Sequence, residues 1–381
     1  IERKADKIRY LKNETVIREK QVDPVKELKI RAGMYRDKSI LRPILVDKCF
    51  DSPPADGTFF SVKNGDWNDP GTWSTSGYTT VTNSGTVPGP SDIVYISDHT
   101  ITVSQNASAA VVNIDNPTVF NTSLIVSGDG QLTVGKTLSA TSGASIDMAY
   151  SPEGSGDKKA SIIISGNGQL EVGGNMILNK LSGKAAVELI MENSSRLTVN
   201  ETLSLVCKGG DKGSTLSLSG SAAITTGSLH LSHRAGKKAV EALLAGNAVL
   251  KVSGDIRLDA EESGQSKLTM SENSALELGG SLFRKTHGVA TLTNMLLTGQ
   301  KDQHLAPTEN SSTTDLLTYE NVSVNKISGK VAFAGNTTIG GYLDIGNTSI
   351  DMSNGTLTLS SAGIEDFTTI AGKIINGELQ R

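Results

Sequence analysis

The sequence is poor in aromatic residues and has no long apolar run. Aromatic residues make up 4% of the 381 residues, and the hydrophobic fraction of 37% is below that of an ordinary globular domain. A core built around large aromatic side chains is therefore excluded, so the interior must be assembled from many small aliphatic ones. No stretch approaches the roughly 18 apolar residues that a membrane-spanning helix needs.

Cysteine content and net charge exclude further classes of protein. The two cysteines, Cys49 and Cys207, are far apart, so neither a disulfide framework nor a CxxC metal site is available. A net charge of −4 gives no general attraction to nucleic acid or to an anionic membrane. Residues 1–50 nevertheless carry 14 basic against 8 acidic side chains. A basic N-terminal segment therefore precedes an acidic body.

Glycine is abundant, at 40 residues, and the body of the chain repeats itself. Six segments align without internal gaps over most of their length, and their starts are 38, 27, 27, 26 and 26 residues apart. Self-similarity at such a period is typical of stacked repeats. The segments are LIVSGDGQLTVGKTL from Leu124, IIISGNGQLEVGGNM from Ile162, LIMENSSRLTVNETL from Leu189, LSLSGSAAITTGSL from Leu216, ALLAGNAVLKVSGDI from Ala242 and LTMSENSALELGGSL from Leu268.

Each repeat contains three pairs of apolar residues, and the members of a pair are two positions apart. Such alternation indicates a short strand with one buried face, and the glycine, asparagine and serine between the pairs indicate turns. In one repeat the pairs are Leu189 with Met191, Leu197 with Val199, and Leu203 with Leu205. Three short strands per 26 or 27 residues predict an all-β fold, a right-handed parallel β-helix, the handedness following from the usual chirality of parallel connections.

Two patterns ahead of the repeats carry a family resemblance. Trp67 and Trp73 fall in the segment TFFSVKNGDWNDPGTWS, and VPGPSDIVYISDHTITV follows it. The patterns W-x-D-P-x-T-W and P-x-x-x-D-x-V-x-I-x-x-x-x-T-V-x-V resemble the opening of right-handed parallel β-helices in secreted surface proteins of Bacteroidota. The segment KISGKVAFAGNTTIGGYLDIGNTSIDMSNGTLTLSS resembles their C-terminal coils. A more distant likeness is to the eight-glycine domain of animal cell-surface proteins that handle hyaluronan.

The resemblance covers roughly residues 58–360. It implies the fold and secretion to the cell surface, as for cargo of the type nine system, and it implies no catalytic residue. The chain ends at INGELQR without the sorting β-domain that many such proteins carry. We therefore expect either that this domain was removed or that secretion follows another route.

The N-terminal segment, residues 1–57, differs from the body. Asp23 and Pro24 have the character of an N-cap and a first helical residue, so VKELKIRAGMYRDK is predicted to form one short helix. The flanking TVIREKQV and SILRPILVDKCF are predicted to be extended. The expected organisation is a charged, partly helical arm at 1–57, a cap and first coils at 58–120, regular coils at 121–290 and irregular coils at 291–381. Residues 300–320 break the alternation and are predicted to leave the stack.

A row of aliphatic side chains is predicted to face outward from the first strand of each coil. It contains Ile125, Ile163 and Ile190 in three successive coils and, after an interruption at Ser217, Leu243. An exposed aliphatic row is unfavourable in water, so this row is a candidate interface. It is covered by a loop or the N-terminal arm of the same chain, covered by a partner protein, or left uncovered.

Parallel β-helices include polysaccharide lyases and glycosidases, so the spacing of the carboxylates matters. The two acids of a glycosidase lie within about 5–10 Å of each other. Glu171 and Glu277 occupy equivalent outward positions on the second strand, but four coils, or about 19 Å, separate them. No catalytic residue is therefore predicted, and we expect the protein not to be an enzyme.

Metal and cofactor sites are not expected, with one alternative left open. Asp255, Asp259, Glu261 and Glu262 cluster in one coil and its turn, where they form either a Ca²⁺ site or a solvated acidic turn. His230 and His233 are three residues apart, so a strand places them on opposite faces, and the histidines are expected to be satisfied surface residues. Cys207 is expected to be buried and inert.

Two sets of residues are candidates for binding a glycan. Trp67 and Trp73 either cap the first coil or present a stacking surface to a sugar. Basic residues recur at the turn after the third strand, where they either cradle an anionic glycan or keep the solenoid soluble. The basic candidates are Lys208, Arg234, Lys237 and Lys238, with Glu261 and Glu262 interrupting their line.

These observations predict a non-catalytic extracellular or cell-surface protein, an adhesin-like stalk or a subunit of an outer-surface assembly. Its N-terminal arm is expected to attach it to another surface or outer-membrane protein, and nucleic acid is not an expected partner. The alternative is a carbohydrate-binding or polysaccharide-degrading β-helix protein. An enzyme of that class would show a groove with clustered acids on neighbouring coils.

Overall fold

The structure is a computed structural model that divides the chain between Ala55 and Asp56 into two compact units. Apart from one 3-10 turn at Pro70–Thr72, the regular secondary structure of the described residues consists entirely of strands. The described residues are 2–4, 7–12, 15–21, 57–78, 84–114, 121–142, 159–180, 186–210, 213–236, 238–261, 264–285, 287–308, 317–333, 335–360, 367–369 and 371–380.

The described part of the first unit is a three-stranded antiparallel sheet. Strands β1 (Glu2–Lys4), β2 (Lys7–Lys12) and β3 (Thr15–Gln21) lie in chain order, and each pairs with the next. The predicted strand in TVIREKQV is therefore confirmed. The predicted helix after Asp23, the predicted strand SILRPILVDKCF and Cys49 lie outside the described residues.

The second unit is a parallel β-solenoid of about nine turns over residues 100–380. Equivalent strands of successive coils pair in parallel, so the prediction of stacked three-strand coils is confirmed. Strands at the start are β4 (Thr58–Ser61), β5 (Gly65–Asp66), β6 (Trp73–Ser74), β7 (Ile93–Ile96), β8 (Thr100–Val103) and β9 (Ala107–Ile114). Strands of the regular coils are β10 (Thr122–Val126), β11 (Gln131–Ser142), β12 (Lys159–Ile164), β13 (Gln169–Val172), β14 (Met176–Lys180), β15 (Ala186–Met191), β16 (Arg196–Cys207), β17 (Ser214–Leu218), β18 (Ala223–His233), β19 (Val240–Leu244), β20 (Val249–Val252), β21 (Ile256–Ala260), β22 (Ser266–Met270), β23 (Ala275–Leu278), β24 (Leu282–Arg284) and β25 (Gly288–Leu297). Strands of the C-terminal coils are β26 (Gln303–Thr308), β27 (Leu317–Val324), β28 (Val331–Phe333), β29 (Thr337–Ile339), β30 (Leu343–Asp344), β31 (Ile350–Asp351), β32 (Thr356–Leu359), β33 (Phe367–Thr368), β34 (Ile374–Ile375) and β35 (Glu378–Gln380).

The coils form three faces, which we call the first, second and third sheets. The first sheet contains β12, β15, β17, β19 and β22, the second contains β13, β20 and β23, and the third contains β14, β21 and β24. Long strands such as β16 and β18 belong to both the second and the third sheet, and they turn the corner at a shift in register.

The interior is a continuous aliphatic core. The predicted apolar pairs all point inward, and Leu189, Met191, Leu203 and Leu205 are fully buried. Equivalent residues stack on one another, because the pairing register places Leu189 between Ile162 and Leu216. Burying an aliphatic side chain of this size contributes about 1.5–3 kcal/mol, so the core grows with each added coil.

The turn between the first and second sheets requires a backbone conformation that most residues avoid. Its positive φ angles occur in successive coils at Gly128, Gly166, Asn193, Gly220, Gly246 and Glu272. Glycine and asparagine adopt this conformation readily, as the sequence predicted, whereas glutamate adopts it only with backbone strain. At Glu272, where φ is 56°, the carboxylate Oε2 accepts a hydrogen bond from the Gly246 amide at 2.7 Å. This bond offsets part of the backbone strain.

An antiparallel strand covers the N-terminal edge of the third sheet. Strand β4 pairs in parallel with β7 on one side and antiparallel with β6 on the other. Trp67 and Trp73 are fully buried beside this strand, with ring centroids 5.1 Å apart in an edge-to-face arrangement. Trp73 Nε1 donates to the Trp67 carbonyl oxygen at 2.7 Å. The edge of β4 is therefore not free to pair with another chain.

The predicted excursion at residues 300–320 is wrong for its first part. Strand β26 pairs in parallel with β24 and β28, so it belongs to the stack. Gln303 is fully buried, and its Nε2 donates to the carbonyl oxygens of Leu278 and Gly280 at 2.9 and 2.7 Å. A polar residue thus occupies an interior position because the preceding coil satisfies its amide. Residues 309–316 lie outside the described part of the chain.

An ion pair joins consecutive coils near the end of the solenoid. The Asp351 carboxylate accepts hydrogen bonds from Lys330 Nζ at 2.6 Å, the Ser353 amide at 3.0 Å and Asn376 Nδ2 at 3.1 Å. These donors, Lys330 foremost, lower the pKa of Asp351 to about 2.

Replacing Asp351 with asparagine is expected to destabilise the protein by an amount that depends on pH. The folded pKa lies below the ordinary value of 3.8, so the stabilisation from ionised Asp351 is complete above about pH 4 and is lost as the pH falls toward 2. Thermal unfolding of the parent and Asp351→Asn proteins across this range measures the effect. The difference between their midpoints should shrink as the pH falls, and a difference that stays constant would contradict this assignment.

Candidate functional site

The outward row of the second sheet keeps the candidate acids apart. The register places Thr133, Glu171, Thr198, Thr225, Lys251 and Glu277 in one row, in that order. Glu171 and Glu277 are four coils apart, as predicted. Lys251 Nζ lies 2.8 Å from Glu277 Oε1, so Glu277 is held in an ion pair on the outer face. The two glutamates therefore do not form an acid pair of the kind that cleaves glycosidic bonds.

The third sheet carries an imidazole–carboxylate pair on its outer face. His230 Nε2 lies 2.9 Å from Asp259 Oδ2, and this hydrogen bond is the main cause that lowers the pKa of Asp259. Ser204 is in register with His230 on the preceding coil, but no hydrogen bond joins them within the described part of the chain. The pair positions one imidazole ring on the surface and does not complete a nucleophilic triad there.

The acidic residues considered for calcium have separate partners. Asp255 Oδ1 accepts a hydrogen bond from the Ser281 amide at 2.9 Å, whereas Asp259 bonds His230. Glu262 lies outside the described residues. Among the residues that the structure describes, no group of three or more His, Cys, Asp or Glu side chains is arranged to hold a metal ion.

Three polar side chains share one interior row at the end of the third sheet. Lys180, Cys207 and His233 are in register on successive coils, and each is at most 1% exposed. The burial predicted for Cys207 is confirmed, and that burial raises the pKa of its thiol. An unreactive thiol is the consequence, because the thiolate is the nucleophilic form.

His233 corrects the prediction that the histidines are satisfied surface residues. His230 and His233 lie on opposite faces of the strand, as their spacing predicted, with His230 outward and His233 inward. Neither ring nitrogen of His233 has a hydrogen-bond partner within the described structure. The imidazole lies directly against Gly264, where a Cβ atom would be 1.8 Å from His233 Cε1. The missing side chain at Gly264 makes room for the ring.

The two tryptophans cannot present a stacking surface to a glycan. Trp67 and Trp73 are both 0% exposed, so this alternative is wrong. Trp73 belongs to β6 and contacts Trp67, and the two large rings fill the interior at the N-terminal end of the described coils.

The basic turn residues form a short and interrupted row. Lys208, Arg234 and Glu261 occupy equivalent positions on three successive coils, because their amides donate to the carbonyl oxygens of Lys180, Cys207 and His233, respectively. Arg234 and Lys238 are exposed and Lys208 is half-buried, whereas Lys237 lies outside the described residues. Glu261 places a carboxylate in this row, as predicted. The negative charge of Glu261 makes the row a weaker binding site for a polyanion.

The aliphatic row on the first sheet is arranged as the sequence predicted. Ile125, Ile163 and Ile190 are in register on successive coils, followed by Ser217 and then Leu243. The three isoleucines are half-buried and Leu243 is 39% exposed. The row is thus a shallow apolar strip on the outer face. That a loop, the N-terminal arm or a partner protein covers this strip stays a prediction.

The C-terminal coils contain a groove that sequence reasoning missed. It has a volume of about 560 Å³ and opens on the outer face of the second sheet. Its floor is a row of Leu296, Ser323, Asp344 and Thr368 on four successive coils. Asn325, Lys326, Asn347 and Thr369 line it from the turns that follow these strands. The coils here are short and uneven in length, so the alignment of these residues across coils was not visible in the sequence.

Comparisons with known proteins yield no relative. No family model, no curated protein and no solved structure matches this chain. Among the described residues, no helix is long and apolar enough to cross a membrane.

Proposed function

We propose that this chain is a non-catalytic extracellular or cell-surface protein in which the β-solenoid serves as a rigid stalk or as a subunit of an outer-surface assembly. The observation that carries the proposal is the continuous parallel register from β8 to β35 around one aliphatic core. A stack of about nine coils at about 4.8 Å each spans roughly 43 Å. Such a stack suits a spacer that holds other elements apart.

The surface location rests on the sequence patterns around Trp67 and Trp73 and in the C-terminal coils. These patterns resemble secreted surface β-helix proteins of Bacteroidota, and the tryptophan segment lies at the N-terminal end of the described coils, where β6 pairs with β4. The antiparallel strand at this end also suits a protein that meets many other chains, because it covers an edge that would otherwise recruit them.

The N-terminal unit is the proposed attachment element. Residues 1–55 form a compact unit separate from the solenoid, with its own three-stranded sheet and an excess of basic residues. The partner is proposed to be another surface or outer-membrane protein with an acidic docking face. The apolar strip of Ile125, Ile163 and Ile190 provides a second contact surface.

The absence of catalysis is part of the same proposal. It is supported by the four coils between Glu171 and Glu277 and by the pairing of Glu277 with Lys251. A carbohydrate-binding role is the second candidate, and the groove of the C-terminal coils favours it.

Surface display is tested by antibody labelling of intact and permeabilised native cells with serum raised against the solenoid. We expect equal labelling before and after permeabilisation. Labelling that requires permeabilisation would contradict a surface location. An antibody to a known internal protein serves as the control for cell integrity.

Attachment is tested by photo-crosslinking from two positions in the full-length protein on native cells. A photoreactive residue at Tyr10, in β2, is expected to give a defined adduct with one outer-surface protein. The same residue at Thr225, on the outer row of the second sheet, is the matched control and is expected to give none. Adducts from Thr225 alone would overturn the role proposed for the N-terminal unit.

A further inference from the structure

We propose that the groove of the C-terminal coils binds a neutral oligosaccharide laid along the solenoid axis. The inference does not depend on a stalk function or on a surface location. It rests on the size of the groove and on the chemistry of its lining, and one exposed aromatic ring on the adjoining outer face adds support.

The groove has the dimensions of a ligand site. Its volume of about 560 Å³ falls within the range of about 300–1,000 Å³ that is usual for small-molecule pockets. The floor residues Leu296, Ser323, Asp344 and Thr368 follow one another at the coil spacing of about 4.8 Å. This spacing is close to the length of one pyranose residue in an extended glycan, so each coil can meet one sugar unit.

The lining offers the hydrogen-bonding groups that sugar hydroxyls require. The side chains of Ser323, Asn325, Asn347 and Thr368 combine hydroxyl and amide groups, and each of them both donates and accepts. Within the described structure these four side chains form no hydrogen bond to protein. They are therefore available to a ligand that carries many hydroxyl groups.

One carboxylate in the groove is held in place. Asp344 Oδ1 accepts a hydrogen bond from the Gly346 amide at 3.1 Å, which fixes the carboxylate over the floor of the groove. A carboxylate can accept hydrogen bonds from two neighbouring sugar hydroxyls at once, and such charge-assisted bonds are stronger than neutral ones. Asp344 is thus the residue best placed to orient a sugar ring.

The charges of the lining residues favour a neutral glycan over an acidic glycan. Lys326 is the one cation among the lining residues, and its ammonium already donates to the Thr298 and Lys301 carbonyl oxygens and to Gln303 Oε1, at 3.4, 2.7 and 2.9 Å. The ammonium is therefore part of the wall and is not a free partner for a uronic acid. Asp344 would repel one.

An exposed tyrosine lies on the outer face near Asp344, outside the set of residues that line the groove. Tyr342 lies two residues before Asp344, with the buried Leu343 between them, so both side chains are on the outer face. Tyr342 is 42% exposed, and it is the only aromatic among the large apolar side chains that are most exposed in the described structure. An amphipathic ring of this kind packs against the C–H face of a sugar while its hydroxyl stays solvated.

The test is titration of the full-length protein with defined linear glycans. Cellohexaose, mannohexaose and xylohexaose are the neutral probes, and a galacturonic acid hexamer is the acidic comparator, each followed by calorimetry and by ligand-observed NMR. We expect saturable binding of at least one neutral probe and weaker or no binding of the acidic one. Failure of all three neutral probes to bind, or preference for the acidic probe, overturns the proposal.

Variants locate the binding. Tyr342→Ala is expected to weaken binding at least about tenfold through loss of the ring contact, and Asp344→Asn about fivefold, because the amide keeps the bond from Gly346 but loses the charge. Tyr342→Phe should retain most of the affinity, which separates ring stacking from a folding defect. Val249→Ala, at 39% exposure, and Glu171→Gln are the matched controls on distant coils. Binding that is unchanged in both Tyr342→Ala and Asp344→Asn would place the glycan elsewhere and overturn the proposal.

Discussion

Replacing Gly264 with alanine is expected to lower the free energy of unfolding by about 2–3 kcal/mol, the usual cost of overpacking a closed interior. The added Cβ would lie 1.8–2.3 Å from three atoms of the His233 ring, so the ring or the backbone must move. The ring has little room to do so, because His233 is 1% exposed. Urea unfolding followed by far-UV circular dichroism measures the loss.

A double substitution separates this clash from a backbone effect. In the His233→Ala background, Gly264→Ala should cost less than about 1 kcal/mol, because the truncated side chain leaves space for the new methyl group. Gly135→Ala is the matched control. A Cβ atom at Gly135 would lie 3.8 Å from the Ala109 carbonyl oxygen, so its steric cost is small. An equal loss with and without His233 would show that the ring is not the obstacle.

The second large effect is expected from a comparison of two adjacent residues on β12. Ile162 is fully buried in the core and Ile163 is half-buried on the outer face. Ile162→Ala should reduce the free energy of unfolding by about 3–4 kcal/mol, whereas Ile163→Ala should cost about 1 kcal/mol or less. The same denaturant experiment, with far-UV circular dichroism as the signal, measures both.

The comparison also tests whether part of this chain covers the aliphatic strip. If Ile163→Ala costs as much as Ile162→Ala in the isolated protein, the outer face must be packed as tightly as the core. That result would contradict an uncovered strip and would favour a cover supplied by the same chain. A small loss at Ile163 leaves the strip free for another protein.

The repeating core was predictable because its signal is local and recurs many times. The pattern alternates apolar with outward-facing residues, as in Leu189, Met191, Leu197 and Val199. The same alternation returns every 26 or 27 residues, so chance does not account for it. The outward position of Ile163 and the opposite faces of His230 and His233 followed from the same alternation. Stacking neighbours could then be named from the alignment, and the register confirms them.

Features that depend on contacts between coils were not predictable in this way. Lys180, His233 and Gln303 are polar residues in the interior, where a hydrophobic pattern gives no reason to place them. Strand β6 pairs with β4 in the antiparallel direction, whereas the other described pairings of the solenoid are parallel. The repeat pattern therefore does not predict this pairing. Strands β1 and β2 lie in a charged segment whose few apolar residues, Ile8, Tyr10 and Leu11 in β2, do not recur at a repeat period.

The groove was missed for a related reason. Asp344 is the second residue of the two-residue strand β30, Tyr342 directly precedes that strand, and the preceding coil differs from theirs in length. Without a constant period, the sequence does not show that Leu296, Ser323, Asp344 and Thr368 share one row. Only the pairing of coils brings these four positions together.

The direction of the hydrogen bonds between coils has a mechanical consequence. These bonds run along the solenoid axis. A pulling force on the two ends therefore acts on the bonds of the terminal coil first, and the coils detach one after another. Each coil of 26 or 27 residues that comes free adds about 90 Å of extended chain, at about 3.4 Å per residue. Under tension the protein would therefore lengthen in steps that are nearly equal over the regular coils and unequal over the C-terminal coils, and each step would absorb work.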